Sequence, residues 1–288
     1  MSESRRLSDV TGQMLQALHI APITGAGDPG TDDGAVIGSF AATGWSMPSV
    51  NWLFGGGVAA QSLLAACATA PGRPPRSLSI RFIRQGRPND PLVHEVTRVA
   101  DSGTFSDRLV RSSVNGVTIA SCTVLCHRPD DTPLAHHRSM PEVAPVDPSR
   151  LTAGGAGFEF IDLCEPPLMS RQQASSLMHL WMRAPDTPRD DELANAAVLT
   201  MASDLFLTQS AWRPIEGYSI HDITKVMTFG LTFSLWYHRP VTFADWHLVE
   251  IDTPVAAAGR SLNYAHWYTS DGDLVASVVL DSVMRIRR

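Results

Sequence analysis

One carboxylate stands among apolar residues in a segment with helical periodicity, residues 191–207. Asp204 continues a row of residues at helical spacing, which is formed by Leu193, Ala196, Ala197, Thr200 and Met201. A carboxylate on a buried face is rare unless it is paired or functional, and such a group can act as a general base. The alternative is that Asp204 marks the end of the helix and caps the following loop. The spacing alone leaves both interpretations open.

Three consecutive glycines precede a second apolar helical run, which reads FGGGVAAQSLLAACATA over residues 54–70. The run lacks the lysine and Ser/Thr of a Walker A loop, and contiguous glycines do not match a GxGxxG dinucleotide turn. Gly55, Gly56 and Gly57 either let another backbone approach closely or present free N–H groups at a helix start. Without further context the packing interpretation is favoured. Gln61 either lines a site or is a core amide that is bonded to backbone.

Five arginines follow the first helical run, namely Arg73, Arg76, Arg81, Arg84 and Arg87. Guanidinium groups suit phosphates, so Arg73, Arg76 and Arg84 are candidate phosphate ligands. The favoured alternative is a solvated strand face with local salt bridges. No metal site is predicted, because the adjacent residues His136 and His137 do not share a helix face.

Composition restricts the class of protein. The 288 residues are 44% hydrophobic and 18% charged, which is typical of globular proteins, and the net charge of −6 argues against a general nucleic-acid binder. No apolar stretch is long enough to cross a bilayer, and the N-terminus lacks the apolar core of a signal peptide. The four cysteines are interpreted as buried small side chains in a reducing compartment. We therefore expect a cytoplasmic protein.

The chain contains an internal repeat. Glu95 and Glu250 are 155 positions apart, as are Arg84 and Arg239, and each copy has the pattern strand, turn, strand, turn, strand. With one further residue, Asn115-Gly116 aligns with Asp271-Gly272, and both pairs are typical of type I′ hairpin turns. Helices are predicted near residues 56–70 and 191–206, with extra strands within 34–43 and 173–184. The predicted units are an N-terminal repeat (1–130), a linker (131–152) and a C-terminal repeat (153–288).

A central helix wrapped by a strongly curved antiparallel sheet is the α+β arrangement called the hotdog fold, and two fused copies form a double hotdog with one continuous sheet. The segments FGGGVAAQSL, SIRFIRQG, ASDL, SLWYHRP and DGDLVAS with VMR together resemble the acyl-CoA thioesterase II (TesB-like) family of tandem hotdog proteins. The resemblance extends from a short helix near Leu7 to Arg285. We expect a homodimer or a higher homo-oligomer, because the convex face and edges of such a sheet need cover.

The resemblance implies hydrolysis of fatty acyl-CoA to free fatty acid and CoA, without a metal or organic cofactor. It implies that water is activated at Asp204, since ASD matches the family motif that holds the catalytic aspartate. The N–H groups of Gly55, Gly56 and Gly57 would then polarise the thioester carbonyl. A dehydratase-like hotdog protein would need a histidine–aspartate pair at the helix start, and the stretch Gly55–Gln61 contains neither residue.

Besides an Asp-His pair of the family that becomes Thr232 and Phe233 here, the sequence departs from the family's site residues at two positions. Gly230 stands where the family has a threonine, and Leu280 stands where it has a glutamine. Thr228 and Thr232 alternate with Gly230, so in a regular strand all three face one side, and either threonine is a candidate to hold the water. Because Leu280 cannot hydrogen-bond, the alternative function is an acyl-CoA-binding hotdog protein with weak or lost catalysis.

Overall fold

The computed structural model describes residues 15, 18–23, 32–47, 51–130, 132–153, 157–218, 222 and 225–286. The short helix expected near Leu7 lies outside the described residues. Within them, no helix combines the length and the apolar character needed to span a membrane.

The described elements are three α-helices, one short 3₁₀-helix and thirteen strands. The α-helices are α1 (Gly55–Ala68), α2 (Glu192–Ala202) and α3 (Leu207–Ser210), and the 3₁₀-helix is Pro148–Arg150. The strands of the N-terminal half are β1 (Ile20–Pro22), β2 (Val36–Thr43), β3 (Pro75–Phe82), β4 (Pro91–Asp101), β5 (Phe105–Val114) and β6 (Val117–His127). Those of the C-terminal half are β7 (Leu151–Ala153), β8 (Glu159–Asp162), β9 (Met178–Arg183), β10 (Val226–Tyr237), β11 (His247–Ala257), β12 (Arg260–Thr269) and β13 (Leu274–Ile286).

All thirteen strands form one antiparallel sheet in the order β1-β2-β4-β5-β6-β3-β10-β13-β12-β11-β9-β8-β7. The two halves meet where β3 pairs with β10, and Ser79 lies directly opposite Ser234 with their hydroxyl oxygens 2.8 Å apart. Ser234 is the residue 155 positions after Ser79. A two-fold axis between antiparallel strands places only the residue on the axis opposite its own equivalent, so the pairing of Ser79 with Ser234 agrees with the repeat offset predicted from the sequence and locates the axis at this pair.

Both predicted central helices are present. α1 contacts the strands of its own half and packs against α2, and nearly all of its residues are buried, as expected for a helix that is apolar on every side. α2 begins after Asp191, whose carboxylate accepts from the Ala194 N–H at 2.9 Å as an N-cap. It ends at Ala202 rather than near residue 206, because the N–H groups of Asp204 and Leu205 bond to carbonyl oxygens three residues back instead of four, and the left-handed Phe206 (φ 62°) then precedes α3.

The hairpin predictions are partly correct. Asn115 and Gly116 both have positive φ (49° and 77°), as a type I′ turn requires. At Asp271-Gly272 only the glycine has positive φ, and the loop between β12 and β13 spans four residues. The type I′ conformation of the C-terminal half lies instead at Ala258-Gly259, between β11 and β12, with φ values of 53° and 78°.

The four cysteines are reduced and buried, which confirms their interpretation as small core side chains. Burial raises the pKa of the Cys122 thiol to about 12. Such a thiol is protonated at neutral pH and is a poor nucleophile.

Candidate active site

Asp204 lies on the turn between α2 and α3, against the first turn of α1. The Gly56 N–H donates to Asp204 Oδ2 at 2.8 Å, so a backbone donor of the N-terminal half holds a carboxylate of the C-terminal half. Such a bond uses the free N–H groups and the positive end of the helix. It places the one carboxylate singled out by the sequence at the seam between the two repeats.

The first two glycines of α1 allow this approach. A Cβ on Gly55 would lie 3.0 Å from Asp204 Oδ2, and one on Gly56 would lie 2.8 Å from the Met201 carbonyl oxygen and 2.9 Å from Asp204 Cβ. No heavy atom lies within 4 Å of the corresponding position on Gly57. Gly56 is therefore required by close packing against the end of α2, Gly55 is in tight contact with the Asp204 side chain, and Gly57 has room for a Cβ.

Two of the three glycine N–H groups already have acceptors. The Gly56 N–H is bonded to Asp204, and the Gly57 N–H donates to the Phe54 carbonyl oxygen at 3.1 Å. The Gly55 N–H has no acceptor in the part of the chain that the structure describes. Only Gly55 therefore has a backbone donor available for a substrate carbonyl in this arrangement.

Burial raises the pKa of Asp204 to about 7, and the hydrogen bond from the Gly56 N–H opposes part of that rise. Desolvation penalises the charged form of a carboxyl group, which is the physical cause of the shift. A carboxylate with a pKa near neutrality accepts a proton far more readily than an ordinary aspartate does. Asp204 thus has the proton affinity that a general base needs at neutral pH.

A cavity of about 420 Å³ opens beside Asp204 and is lined by both halves of the chain. Most of its wall is apolar or aromatic, with contributions from Met47, Trp52, Leu53, Phe54, Val58, Phe82, Ile83, Ile119, Leu205, Phe206, Trp212, Val226 and Phe229. Its polar side chains are Arg84, Gln85, Asp204, Thr208, Gln209 and Thr228. A largely apolar cavity with a few polar groups is the common form of a small-molecule site.

The two candidate threonines lie on opposite faces of β10. The register of β10 against β13 shifts between Gly230 and Thr232, so Leu231 is an extra residue in a β-bulge. Thr228 and Gly230 line the cavity, whereas Thr232 does not. The prediction that Thr228 and Thr232 share a face is wrong, because the bulge reverses the alternation of side chains between them.

Leu280 fills the space that Gly230 leaves. A Cβ on Gly230 would lie 3.1 Å from Leu280 Cδ1 and 3.2 Å from the ring of Phe82, and Leu280 is fully buried. Asp281 is directed to the opposite face, where it pairs with Arg260 at 3.5 Å. The two departures from the family pattern are therefore adjacent in space and compensate each other in volume.

Gln61 is a core amide. Its Nε2 donates to the Thr43 carbonyl oxygen at 2.9 Å, its side chain is buried, and it does not line the cavity. The structure therefore contradicts the interpretation of Gln61 as a group that lines the site and agrees with the backbone-bonded alternative, since a buried amide must find partners.

The three candidate phosphate ligands lie in three different places. Arg73 donates to the carbonyl oxygens of Ser102 and Phe105, each at 2.9 Å, and Arg76 donates to the Tyr237 carbonyl oxygen. Neither lines the cavity beside Asp204, and Arg76 lines a separate cavity instead, so a contact of Arg73 or Arg76 with a CoA phosphate stays a prediction. Arg84 is exposed at this cavity, with Nη1 bonded to the Thr118 carbonyl oxygen at 2.8 Å.

The pseudo-two-fold arrangement produces a second cavity, of about 600 Å³. It is lined by Tyr237 and Arg239, the repeat equivalents of Phe82 and Arg84, and by the start of α2. No residue of α1 contributes to it, and Asp204 lies only in the first cavity. The two repeats have therefore diverged, and the carboxylate belongs to one cavity alone.

Three polar residues of the cavity were missed by sequence reasoning, namely Gln85, Thr208 and Gln209. Thr208 and Gln209 belong to α3, which has only four residues and no periodicity that could reveal it. The left-handed Phe206, which turns α3 towards the cavity, has no sequence signature, because bulky residues rarely adopt positive φ.

The fold and site define a double hotdog protein with one carboxylate-bearing apolar cavity at the seam of its repeats. Residues 42–127 match the acyl-CoA thioesterase N-terminal domain, and residues 129–279 match the acyl-CoA thioesterase C-terminal domain. The chain belongs to the acyl-CoA thioesterase family.

Named relatives and solved structures agree with this assignment. The chain is similar to acyl-coenzyme A thioesterase 8 of Mus musculus (26% identity, covering 84% of this chain and 82% of the relative). It is similar to acyl-CoA thioesterase 2 of Haemophilus influenzae (26% identity, covering 81% and 87%). The crystal structure of acyl-CoA thioesterase II TesB2 from Mycobacterium marinum superposes with a TM-score of 0.76 at 24% identity, covering 96% of this chain and 98% of that chain. The similarity of fold confirms the double hotdog.

Proposed function

We propose that this protein hydrolyses fatty acyl-CoA thioesters to a free acid and CoA, with water activated at Asp204. The observation that carries the proposal is a carboxylate with a pKa of about 7, held by the Gly56 N–H in a largely apolar cavity at the seam of the repeats. Membership of the acyl-CoA thioesterase family supports the class of reaction. The apolar wall suits an acyl chain, since it removes hydrocarbon surface from water.

Asp204 acts as the general base in this proposal. Its carboxylate accepts a proton from water while the water oxygen bonds to the thioester carbonyl carbon, and the carbonyl oxygen becomes an oxyanion. Breakage of the carbon–sulfur bond then re-forms the carbonyl of the acid, and the proton returns from Asp204 to the departing thiolate. Because the Gly56 N–H fixes Oδ2, Oδ1 is the oxygen that accepts from water.

Two further groups have places in this arrangement. Thr228 lines the cavity, and its hydroxyl has no hydrogen-bond partner in the described part of the chain, so it is the candidate to hold the water. Arg84 is exposed at the same cavity and is the proposed contact for a CoA phosphate. The expectations of a cytoplasmic enzyme without a metal or organic cofactor stay predictions.

The decisive experiment measures release of free CoA thiol from acyl-CoA substrates of several chain lengths. Asp204→Asn keeps the shape of the side chain and removes the proton acceptor, so we expect kcat to fall about 10²–10⁴-fold. The matched control is Asp186→Asn, at an exposed aspartate outside the cavity, which should retain the wild-type rate. Full turnover by Asp204→Asn on every substrate would show that the site lies elsewhere.

The second candidate function is acyl-CoA binding with weak or lost catalysis. It is favoured by Leu280, which is fully buried and apolar where the family has a glutamine. The two functions are distinguished by titration calorimetry with a non-hydrolysable thioether analogue of acyl-CoA, run beside the thiol-release assay. Micromolar binding without measurable turnover by the wild-type protein would favour the binding function.

A further inference from the structure

An acyl-transfer site needs hydrogen-bond donors at the developing oxyanion, and few remain free in this cavity. The N–H groups of Gly56 and Gly57 are already bonded to Asp204 and to the Phe54 carbonyl oxygen. An oxyanion hole commonly contains two or more donors, and side-chain amides serve as well as backbone N–H groups. The Gly55 N–H therefore needs a companion from a side chain.

Gln209 is the amide that lies in the same turn region as Asp204. It follows Asp204 by five residues on α3, and both side chains line the same cavity. Its Oε1 accepts from the Thr208 hydroxyl at 3.4 Å. Its Nε2 donates to no atom in the part of the chain that the structure describes, so the donor end of this amide is available to a ligand.

The surrounding structure fixes α3 in this position. Phe206 has a φ of 62°, which a bulky residue adopts only where its environment holds it there, and its ring packs on Phe160 with centroids 5.2 Å apart. On the next turn the buried Ser210 hydroxyl is 2.5 Å from that of Thr253. Strained backbone that is held by packing is common at active sites, where it sets the aim of a side chain.

We propose that Gln209 is a further catalytic residue, whose side-chain amide donates to the thioester carbonyl oxygen as it becomes the oxyanion. In this chain the amide comes from α3, because Leu280 of β13 has no hydrogen-bond donor in its side chain and no residue of β13 lines the cavity. The proposal rests on the thioesterase function proposed above and explains how the reaction proceeds without a glutamine at position 280.

The test compares Gln209→Leu with wild type in the thiol-release assay. Leucine has a similar size and no donor, so we expect kcat to fall about 10²–10³-fold, as for removal of one oxyanion donor, while KM changes less than about threefold. The pH at which activity is half-maximal should stay that of the wild type, because Asp204 is untouched. Gln172→Leu, at an exposed glutamine outside the cavity, is the matched control and should retain wild-type kinetics.

Two further variants make the result decisive. A merely structural role would lower the thermal unfolding midpoint of Gln209→Leu. Gln209→Asn keeps an amide but shortens its reach, and it is measured in parallel. It should also lose kcat while its thermal midpoint stays unchanged. Gln85→Leu tests the other amide of the cavity.

Each outcome has one meaning. Wild-type kcat in Gln209→Leu, together with an inactive Asp204→Asn variant, would overturn the role of Gln209 and leave the thioesterase function standing. Loss of kcat in Gln85→Leu instead of Gln209→Leu would overturn it in the same way. If the wild-type protein hydrolyses no acyl-CoA, the thioesterase function fails first and the role of Gln209 fails with it.

Discussion

At the scale of single residues, Asp204 combines two opposing effects. Burial disfavours its ionised form, and the Gly56 N–H favours it, with burial dominant. The pKa of Asp204 therefore lies near neutral pH. An exposed aspartate has a lower pKa and is a weak base at that pH. In the proposed mechanism the hydrogen bond holds Oδ2, and the raised pKa increases the proton affinity of the carboxylate.

The pH dependence of activity follows from this pKa. A general base works in its deprotonated form, so kcat/KM should rise with pH and level off above about 7, the raised pKa of Asp204. Below that pH the rate should fall about tenfold per unit, since the fraction of ionised carboxylate falls tenfold. Thiol release measured across pH 5 to 9 checks this, and a rate that stays constant down to pH 5 would contradict it.

The two threonines of β10 should respond differently to the same substitution. Thr228→Val removes a hydroxyl that lines the cavity, and we expect a loss in kcat of about tenfold, because water partly replaces one hydrogen bond. Thr232→Val removes a hydroxyl on the opposite face of the bulge and should leave kcat within about twofold of wild type. A larger loss at Thr232 than at Thr228 would mean that the bulge does not set the faces as described.

At the scale of elements, the start of α1 is fixed by how closely it approaches α2. The N-terminus of α1, in one repeat, contacts the C-terminal end of α2, in the other. This contact includes both the close packing of Gly56 and the hydrogen bond between Gly56 and Asp204. Gly56 and Gly57 are neighbours of the same residue type, but only Gly56 is needed for the close approach of α2.

Alanine substitutions should separate these roles. Gly56→Ala places a Cβ 2.8 Å from the Met201 carbonyl oxygen, so we expect a loss of about 1–3 kcal/mol in the free energy of unfolding and a matching loss of activity. Gly57→Ala meets no atom within 4 Å and should raise the free energy of unfolding by about 0.5–1 kcal/mol, because glycine weakens a helix interior. Urea denaturation measures both, and equal stability of the two variants would refute the packing argument.

At the scale of the whole molecule, the convex face of the sheet carries exposed aromatic side chains. Trp236 on β10 is 40% exposed and Tyr264 on β12 is 37% exposed, both on the face opposite the helices. We expect at least a dimer of double hotdogs, because such surface is stabilised when it is covered. Light scattering at micromolar concentration should give twice the monomer mass or more, and the monomer mass alone would exclude the prediction.

The sequence by itself determined the repeated architecture. The offset of 155 between the copies agrees with the pairing of Ser79 with Ser234 at the seam, and apolar periodicity located both central helices to within a few residues. These features depend on patterns of side chains that are visible within short segments of the sequence. The same patterns singled out Asp204 as a carboxylate on an apolar face.

Only the tertiary structure decided which groups surround that carboxylate. The bulge at Leu231 places Thr232 outside the cavity, Gln61 donates to the Thr43 carbonyl oxygen instead of lining the site, and α3, which follows the left-handed Phe206, places Gln209 in the same cavity as the base. Each of these depends on contacts between residues far apart in the chain or on one strained backbone angle. Periodicity and spacing carry no record of either, because a single inserted residue moves the following side chains of a strand to the other face, and a positive φ at a bulky residue has no sequence signature.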